Sequence, residues 1–290
     1  MAGMAANRLY AQTQQQIPEW EKAAGGTADF EVAAVHKDAP DAKFQRPSFP
    51  LSPDDSFREP NGNFHADFSV SAYIEFAYKL WLSDGEKRVA FANIPDWVLH
   101  DRYTLEAKAP LHATKDQYRL MMQSLLAERF GVRVHFEDRE MSVLAMELIK
   151  PGKPGPKLIP HENGPPCDSK STDIFPSECY GFVATAANNG QMKAGSRATS
   201  MEWIGNFIGN IGGRSGEVTR PVVDRTGLNG LWDFSVVALP PDVSGAPNAE
   251  EATGSTLLEA VREQLGLKLV PTRAKIQVMV VDHVERPSEN

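Results

Sequence analysis

The residues whose types could support metal or acid–base chemistry are seven histidines spread along the chain. They are His36, His65, His100, His112, His135, His161 and His283. None has the His-x-His or His-Glu-x-x-His spacing of a metal site, which needs three or four convergent ligands. His65 and Asp67 share one face of a predicted strand, so they would hold a metal only if other elements supplied ligands. The sequence therefore predicts surface or capping histidines, with His135 paired on a sheet face, and no metal or cofactor.

Two cysteines, Cys167 and Cys179, flank a short polar segment that contains proline. In an oxidising compartment such a pair closes a loop as a disulfide, whereas in a reducing compartment both thiols stay free. We expect the disulfide, and the reduced pair is the alternative.

A nucleophilic serine would be expected in a Gly-x-Ser-x-Gly elbow, which the sequence lacks. The nearest segment is Gly212-Gly213-Arg214-Ser215-Gly216, whose composition predicts a flexible loop or hairpin. Asp224 ahead of Thr226 and Gly227 predicts a turn. The charged segment 137–140 is expected at a solvated hairpin tip. No catalytic residue is predicted, and no glycine-rich phosphate loop is present.

Composition excludes several classes of protein. The chain has 290 residues, with 30 basic and 38 acidic side chains and a formal charge of −8. This balance argues against nucleic acid as a partner, because binding phosphate needs a basic surface. The hydrophobic content of 41% is too high for a disordered chain, and no stretch approaches the roughly 18 apolar residues of a membrane span.

The elements that must position any site follow from the hydrophobic pattern. Alternation predicts strands at 30–35 and 102–107, and a hairpin of strands 132–136 and 143–148 that turns around Asp138 and Arg139. Helical spacing predicts a helix over 116–130, with Thr114 and Gln117 as a capping box and Gly131 as its stop. Four tryptophans are expected in the core rather than on a ligand platform; these are Trp81, Trp97, Trp203 and Trp232.

Ordered matches between the two halves of the chain predict an internal repeat. The segment 61–66 matches 189–194, and 103–106 matches 232–235. The segments 125–134 and 141–146 match 260–269 and 276–281 in the same order. Ser69 and Ser200 each open a helix after the first match, and Ser255 or Thr256 caps the last helix.

The repeat divides the chain into four predicted parts. Residues 1–29 form a leader or tail, and its first sixteen residues could be the end of an export signal or a disordered cytosolic leader. Residues 30–150 form the first repeat, residues 151–188 a linker or flap with the cysteine pair, and residues 189–290 the second repeat. The segments 37–59 and 240–254 are irregular. We expect the repeats to form two closely packed domains rather than one shared core.

Several ordered motifs resemble a known family. They are Phe30–Val35, Asp96-Trp97, Arg102–Pro110, Leu120–Phe130, Arg220–Gly230, Glu263–Leu269 and Val281–Asn290. Over residues 30–290 they are similar to the soil-associated, heavily duplicated family of uncharacterised acidobacterial proteins. The resemblance implies an exported protein, supplies no catalytic residues and favours the disulfide between Cys167 and Cys179.

Each repeat also resembles, in element order, the short N-terminal module of secretins and TonB-dependent receptors. That module packs two helices between two small sheets and works by protein contact, so the resemblance implies an interaction module. Fold alone does not fix function.

These observations give an α+β prediction of two tandem βαββαββ repeats, with small sheets packed on helix pairs. The first functional hypothesis is a non-enzymatic exported protein that presents sheet edges and the disulfide-closed loop to a protein or envelope component. The alternative is a hydrolase of small esters, lactones or glycans with its active site in the inter-repeat cleft. A carrier of a metal or small ligand is a third possibility.

Overall fold

The structure is a computed structural model that describes residues 17–26, 28–49, 51–57, 60–169, 173–177, 179–241 and 254–287. The possible export signal and most of the irregular segment 240–254 lie outside these residues. The α+β class is confirmed, since helices and small sheets alternate along the described chain. None of the helices in these ranges is both long enough and apolar enough to cross a membrane.

The strands of the described chain are β1 (Val32–Lys37), β2 (Asn63–Ser69), β3 (Arg102–Lys108), β4 (Arg133–Leu148), β5 (Leu158–Pro160), β6 (Val183–Ala186), β7 (Met192–Thr199), β8 (Val222–Asp224), β9 (Trp232–Ala238) and β10 (Leu267–His283). The helices are α1 (Glu19–Ala23), α2 (Val70–Ala77), α3 (Asp84–Ala90), α4 (Trp97–His100), α5 (Lys115–Phe130), α6 (Met201–Arg214) and α7 (Leu257–Ala260), and α7 continues into a wide turn at Val261–Leu265.

Three sheets organise these strands. The first half of the chain, up to residue 150, forms an antiparallel sheet in the order β1-β3-β2. The second half forms an antiparallel sheet in the order β5-β9-β7-β6. The third sheet has the order β10-β4-β8 and joins the halves, with β10 antiparallel and β8 parallel to β4.

The predicted hairpin around Asp138 and Arg139 is wrong, because β4 runs through both residues without a turn. Its sequence contains no glycine or proline that would break a strand. The charges of the segment 137–140 instead face the neighbouring strand. Lys275 of β10 forms an ion pair of 2.9 Å with Asp138, and Arg273 forms one of 2.8 Å with Glu140.

Two hydrophobic cores share the β4–β10 ribbon. The first core gathers α2, α5 and the first sheet around Tyr73 and Leu126, and it also includes Met279 and Val281 from β10. The second core gathers α6, α7 and the second sheet, and it includes Met146 and other residues from the end of β4. Strands of 16 and 17 residues are about 50 Å long, so each one reaches both cores.

The expected division into two closely packed domains therefore needs correction. Each half of the chain sends one end of its long strand into the core of the other half, so the boundaries at 150 and 189 do not separate the cores. Glu140 lies opposite Lys275 near the middle of both strands. This register is the one that a twofold relation between the halves would produce, and the internal repeat itself stays a prediction.

The predicted helix boundaries are largely confirmed. Thr114 and Gln117 form the capping box of α5, and Gly131 ends that helix in the left-handed conformation. Ser69, Ser200 and Thr256 each accept a hydrogen bond from the first turn of the helix that follows.

The glycine-rich segment 212–216 differs from the prediction, since α6 continues to Arg214. Only the last two residues of the predicted loop lie beyond the helix. A Cβ atom at Gly212 would lie 2.5 Å from the side chain of Val218. The glycine is therefore required for close packing of the helix against Val218 rather than for a flexible loop.

The segment 151–188 is not a free linker. It contributes β5 and β6, which form the two edges of the second sheet. Cys167 and Cys179 form the predicted disulfide within it. The segment is therefore part of the second half, because its backbone pairs with that sheet.

Two buried cations hold the irregular segment 51–57 against α5. Lys115 donates to the carbonyl oxygens of Asp54 at 2.7 Å and Ser56 at 2.9 Å. Arg119, which is completely buried, also donates to the carbonyl of Asp54 at 2.7 Å. Backbone oxygens thus replace the water that these cations lose on burial.

Burial lowers the pKa of Lys115 to about 8, below its value of 10.5 in an unfolded chain. Between these values the unfolded chain binds the extra proton, so raising the pH favours folding. We expect the free energy of unfolding of the wild type to rise by roughly 2 kcal/mol relative to Lys115→Met from about pH 7.5 to about pH 10. Urea titrations across this range measure it. Lys43→Met, at an exposed lysine, should show no such trend. A difference between the wild type and Lys115→Met that does not change with pH contradicts the prediction.

Candidate functional site

A cleft of about 560 Å³ lies between the two halves of the chain, and we call it the interhalf cleft. One side is formed by residues 79–82 and Glu86 from the first half. The other side is formed by α6 and residues 221–224, and residues 276–279 of β10 contribute with Phe136. The volume lies within the range of small-ligand sites.

Trp81 and Trp203 give the interhalf cleft its aromatic surface. Trp81 belongs to the first half but packs on the second core, with its ring centroid 4.8 Å from Phe182 and 6.2 Å from Trp203. Asn210 fixes its backbone by donating to the carbonyl of Trp81 at 3.2 Å. Both indoles are only partly buried. The expectation that they are purely core residues is therefore incomplete.

Three polar side chains of the interhalf cleft are free to bind a ligand. Glu202 is exposed and Asn206 half-buried, and the two lie one helical turn apart on α6. Gln277 of β10 is exposed and also lines the cleft. None of the three side chains has a hydrogen bond or ion pair with any described residue. By contrast, Lys79 pairs with Asp55 at 2.7 Å, and Glu86 accepts from Ser83 in a capping box.

The lining of the interhalf cleft, as far as the structure describes it, contains no histidine, serine or cysteine. The nucleophile and base that ester or lactone hydrolysis needs are therefore not assembled among those residues. The cleft offers indole surface, one free carboxylate and two free amides.

A second group of polar residues lies beside the disulfide. His161 Nδ1 donates to Asp233 Oδ1 at 2.6 Å, and His161 Nε2 lies 3.5 Å from Cys167 Sγ. The backbone N–H of Ala198 donates to the same Asp233 oxygen at 2.9 Å. One imidazole nitrogen of His161 and the two sulfurs lie within 4.8 Å of one another, but the sulfurs are bonded together and so are not free to bind a metal.

Arg197 stabilises this group through a set of polar contacts. Its side chain is buried, and it donates to the carbonyls of Pro165, Pro166 at 3.2 Å and Ser177 at 3.3 Å. Its Nε lies 3.5 Å from Asp233 Oδ2. The guanidinium therefore balances the charge of Asp233 and holds the backbone on both sides of the disulfide.

A third group is a pair of carboxyl groups on the first sheet, Asp38 and Asp67. Asp38 accepts from the Thr104 hydroxyl at 2.7 Å, and Asp67 is paired with Arg102 at 3.2 Å. The remaining oxygens, Asp38 Oδ2 and Asp67 Oδ1, are buried and receive no hydrogen bond from the described groups. Two neighbouring carboxyl groups of this kind take up a proton more readily than one alone, because the proton removes a negative charge and supplies a donor.

The pKa values of this pair move in opposite directions. Burial, with the hydrogen bond and charge of Asp38, raises the pKa of Asp67. Burial opposes the ionisation of Asp38, but hydrogen bonds with Asp67 and Thr104 and the charge of Arg102 outweigh it and lower the pKa of Asp38. Of the two carboxyl groups, Asp67 is therefore the one that takes up a proton first as the pH falls.

The remaining histidines that the sequence singles out are not brought together. His65 lies 3.8 Å from Glu106, whereas Asp67 faces Arg102, so the two residues do not share a site. His135 is paired on the sheet as predicted, and its hydrogen bond with Asp282 raises the pKa of His135.

The sequence prediction missed the residues of the interhalf cleft and the contact of His161 with Asp233. The one available signal for the cleft was the spacing of Glu202 and Asn206 on a predicted helix. His161 and Asp233 are 72 residues apart, and no local pattern joins them.

A family model with the description "Protein of unknown function (DUF3738)" matches residues 71–284. No curated protein and no solved structure matches the chain. The matched range contains the residues of the interhalf cleft, both cysteines and His161.

The carboxyl pair predicts a specific pH dependence of stability. Because the pKa of Asp67 is raised in the folded chain, the folded state keeps a proton that the unfolded chain loses. Lowering the pH from about 7 to about 4.5 should therefore stabilise the wild type relative to Asp67→Asn. Thermal unfolding of both proteins across this range measures the difference. Asp41→Asn, at an exposed aspartate nearby, serves as the control, and a difference that grows with pH contradicts the assignment.

Proposed function

Because the chain belongs to this family of unknown function, we propose a function from the interhalf cleft: the protein binds a sugar unit of an envelope glycan. The observation that carries the proposal is the placement of two partly exposed indoles beside the free side chains of Glu202 and Asn206. A sugar ring offers apolar C–H faces to indoles and hydroxyl groups to carboxylate and amide. Small-ligand sites commonly combine aromatic walls with a few such polar groups.

Binding of a protein partner through the outer edge of β10 has less support. β10 pairs only with β4 among the described strands, so its outer side is an edge. Exposed Pro271, Arg273 and Lys275 lie along the middle of that strand. Proline and charged residues on an edge oppose strand addition.

The hydrolase remains the second candidate function only for glycans, since glycoside hydrolysis uses paired carboxyl groups and needs no histidine. Of the carboxylates that line the interhalf cleft, Glu86 is engaged by Ser83 and Asp224 by Thr226. This leaves Glu202 as the free carboxylate of the lining, which favours binding over cleavage.

Export is part of the proposal. The disulfide supports an oxidising compartment, where such bonds form and persist. Export, the resemblance to the acidobacterial family and the likeness to the secretin module are predictions, as is the envelope location of the glycan.

The proposal predicts saturable binding of oligosaccharides to the full chain. Isothermal titration calorimetry with oligomers of N-acetylglucosamine, glucose and xylose should identify at least one ligand. Trp203→Ala should weaken its binding by roughly tenfold or more, because anchoring aromatic residues dominate such sites. Glu202→Gln should weaken it as well.

Matched variants separate binding from folding. Trp203→Phe keeps an aromatic ring and should retain part of the affinity, and Glu263→Gln at an exposed glutamate outside the cleft should bind as the wild type does. Unchanged binding by Trp203→Ala and Glu202→Gln contradicts the site, and absence of binding across the panel contradicts the ligand class. Release of shorter sugars, lost in Glu202→Gln, would establish the hydrolase instead.

A further inference from the structure

We propose that the bond between Cys167 and Cys179 is a thiol–disulfide exchange site at which His161 transfers the proton. This inference does not depend on the interhalf cleft or on its ligand. It rests on the contacts of His161 and on the difference in exposure between Cys167 and Cys179.

His161 is oriented for this role by Asp233. The hydrogen bond of 2.6 Å from Nδ1 to Asp233 fixes the imidazole ring so that Nε2 faces Cys167 Sγ at 3.5 Å. In the protonated ring Nε2–H can donate to a departing thiolate, and in the neutral ring Nε2 can accept a thiol proton. Sulfur, imidazole and carboxylate thus stand in the order that activates a nucleophilic thiol.

The charged surroundings of His161 keep Asp233 in place. Arg197 faces Asp233 from β7, and the Ala198 amide donates to it. Lys157 and Asp173 lie in the lining of the neighbouring cavity of about 290 Å³, which Arg197 and Asp233 also line. Asp233 therefore remains available to His161 while its second oxygen is neutralised by Arg197.

Access differs between the two sulfurs. Cys167 is half-buried, whereas Cys179 is 8% exposed. The side chain of His161 is 21% exposed, so solvent reaches the imidazole. An external thiolate therefore approaches the sulfur of Cys167 first.

An external dithiol reduces the disulfide in two steps. A thiolate of the dithiol attacks Cys167 Sγ, a mixed disulfide forms, and the bond to Cys179 breaks with its electron pair on Cys179 Sγ. That sulfur takes a proton from His161 across one bridging water, which the separation of at most 4.8 Å between the imidazole nitrogen and the sulfur allows. The second thiol of the dithiol then transfers its proton to His161. The resulting thiolate attacks the other sulfur of the same dithiol, which is bonded to Cys167 in the mixed disulfide.

In this second step Cys167 leaves as a thiolate and takes the proton from His161. The protein disulfide is reduced to two thiols, and the dithiol is oxidised to its cyclic disulfide. The two protons that the dithiol loses end on the two cysteines. The co-reactant in the molecule's surroundings is therefore a thiol or dithiol compound.

A disulfide that only stabilises the segment 151–188 would be reduced at a rate that does not depend on His161. The chain offers a matched control, since His135 makes a similar contact with Asp282 at 2.9 Å on the β4–β10 ribbon. His161→Asn keeps an amide N–H near the position of Nδ1 but removes Nε2. His135→Asn makes the same change at the control pair.

The experiment measures reduction of the oxidised full chain by dithiothreitol from about pH 5.5 to about pH 8.5, with acid quench, alkylation and mass spectrometry. Each rate constant is divided by the concentration of dithiothreitol thiolate. For the wild type this constant should rise toward low pH as His161 becomes protonated. His161→Asn should remove the rise and slow the low-pH reaction roughly tenfold or more, a modest value for general acid catalysis.

Asp233 is a positioning residue in this scheme. Asp233→Asn should slow the reduction of the wild type at low pH, because the imidazole loses the carboxylate that fixes its ring. The same substitution should leave the rate unchanged in a His161→Asn background, whereas a purely structural role would change the rate in both backgrounds. His135→Asn should match the wild type in both rate and profile.

Two outcomes overturn the proposal. One is a His161→Asn protein that is folded by circular dichroism and reacts with the wild-type rate and profile. The other is a wild-type profile that is flat per thiolate, which needs no variant and so decides the matter even if His161→Asn does not fold.

Discussion

The antiparallel pairing of β4 with β10 is the interaction on which the rest of the structure depends. One continuous ribbon closes the first core at one end and the second core at the other. Its middle carries charged side chains that pair across the strands, among them Lys275 with Asp138. The interhalf cleft exists because this ribbon holds α6 opposite the segment 79–82. Neither half would present the same surface if its long strand turned back on itself.

The features that the sequence predicts correctly depend on contacts between residues close in sequence, and the features that it misses depend on contacts between distant residues. The ends of α5 and the start of α6 depend on neighbouring residues such as Thr114 and Ser200, so the sequence predicts them correctly. The ribbon joins residues more than a hundred positions apart. The alternation in β4 is the same in a hairpin and in a single strand, so the pattern could not separate them. The candidate site could not be predicted for the same reason, because Trp81 and Trp203 come together only through tertiary packing.

The negative charge of buried aspartates is compensated differently in the first and second sheets. In the first sheet Asp38 and Asp67 flank Thr104, and the raised pKa of Asp67 favours the neutral form of that carboxyl group. In the second sheet Asp233 lies between His161 and Arg197, and two side-chain nitrogen donors balance its charge. Burying a carboxylate is tolerable only with such compensation. The second arrangement leaves an imidazole beside a sulfur, so compensation and reactivity arise from the same contacts.

The ribbon also sets the order in which the molecule can be completed during synthesis. The first core needs Met279 and Val281, which lie near the C-terminal end of the described chain. A growing chain that has reached only residue 150 therefore leaves an apolar face of that core open to water. Parts of a chain that emerge early usually fold first, but here the early part must wait for the late one. Such a chain stays incompletely packed until β10 has been made, and an incompletely packed polypeptide is the form that can be threaded through a membrane pore.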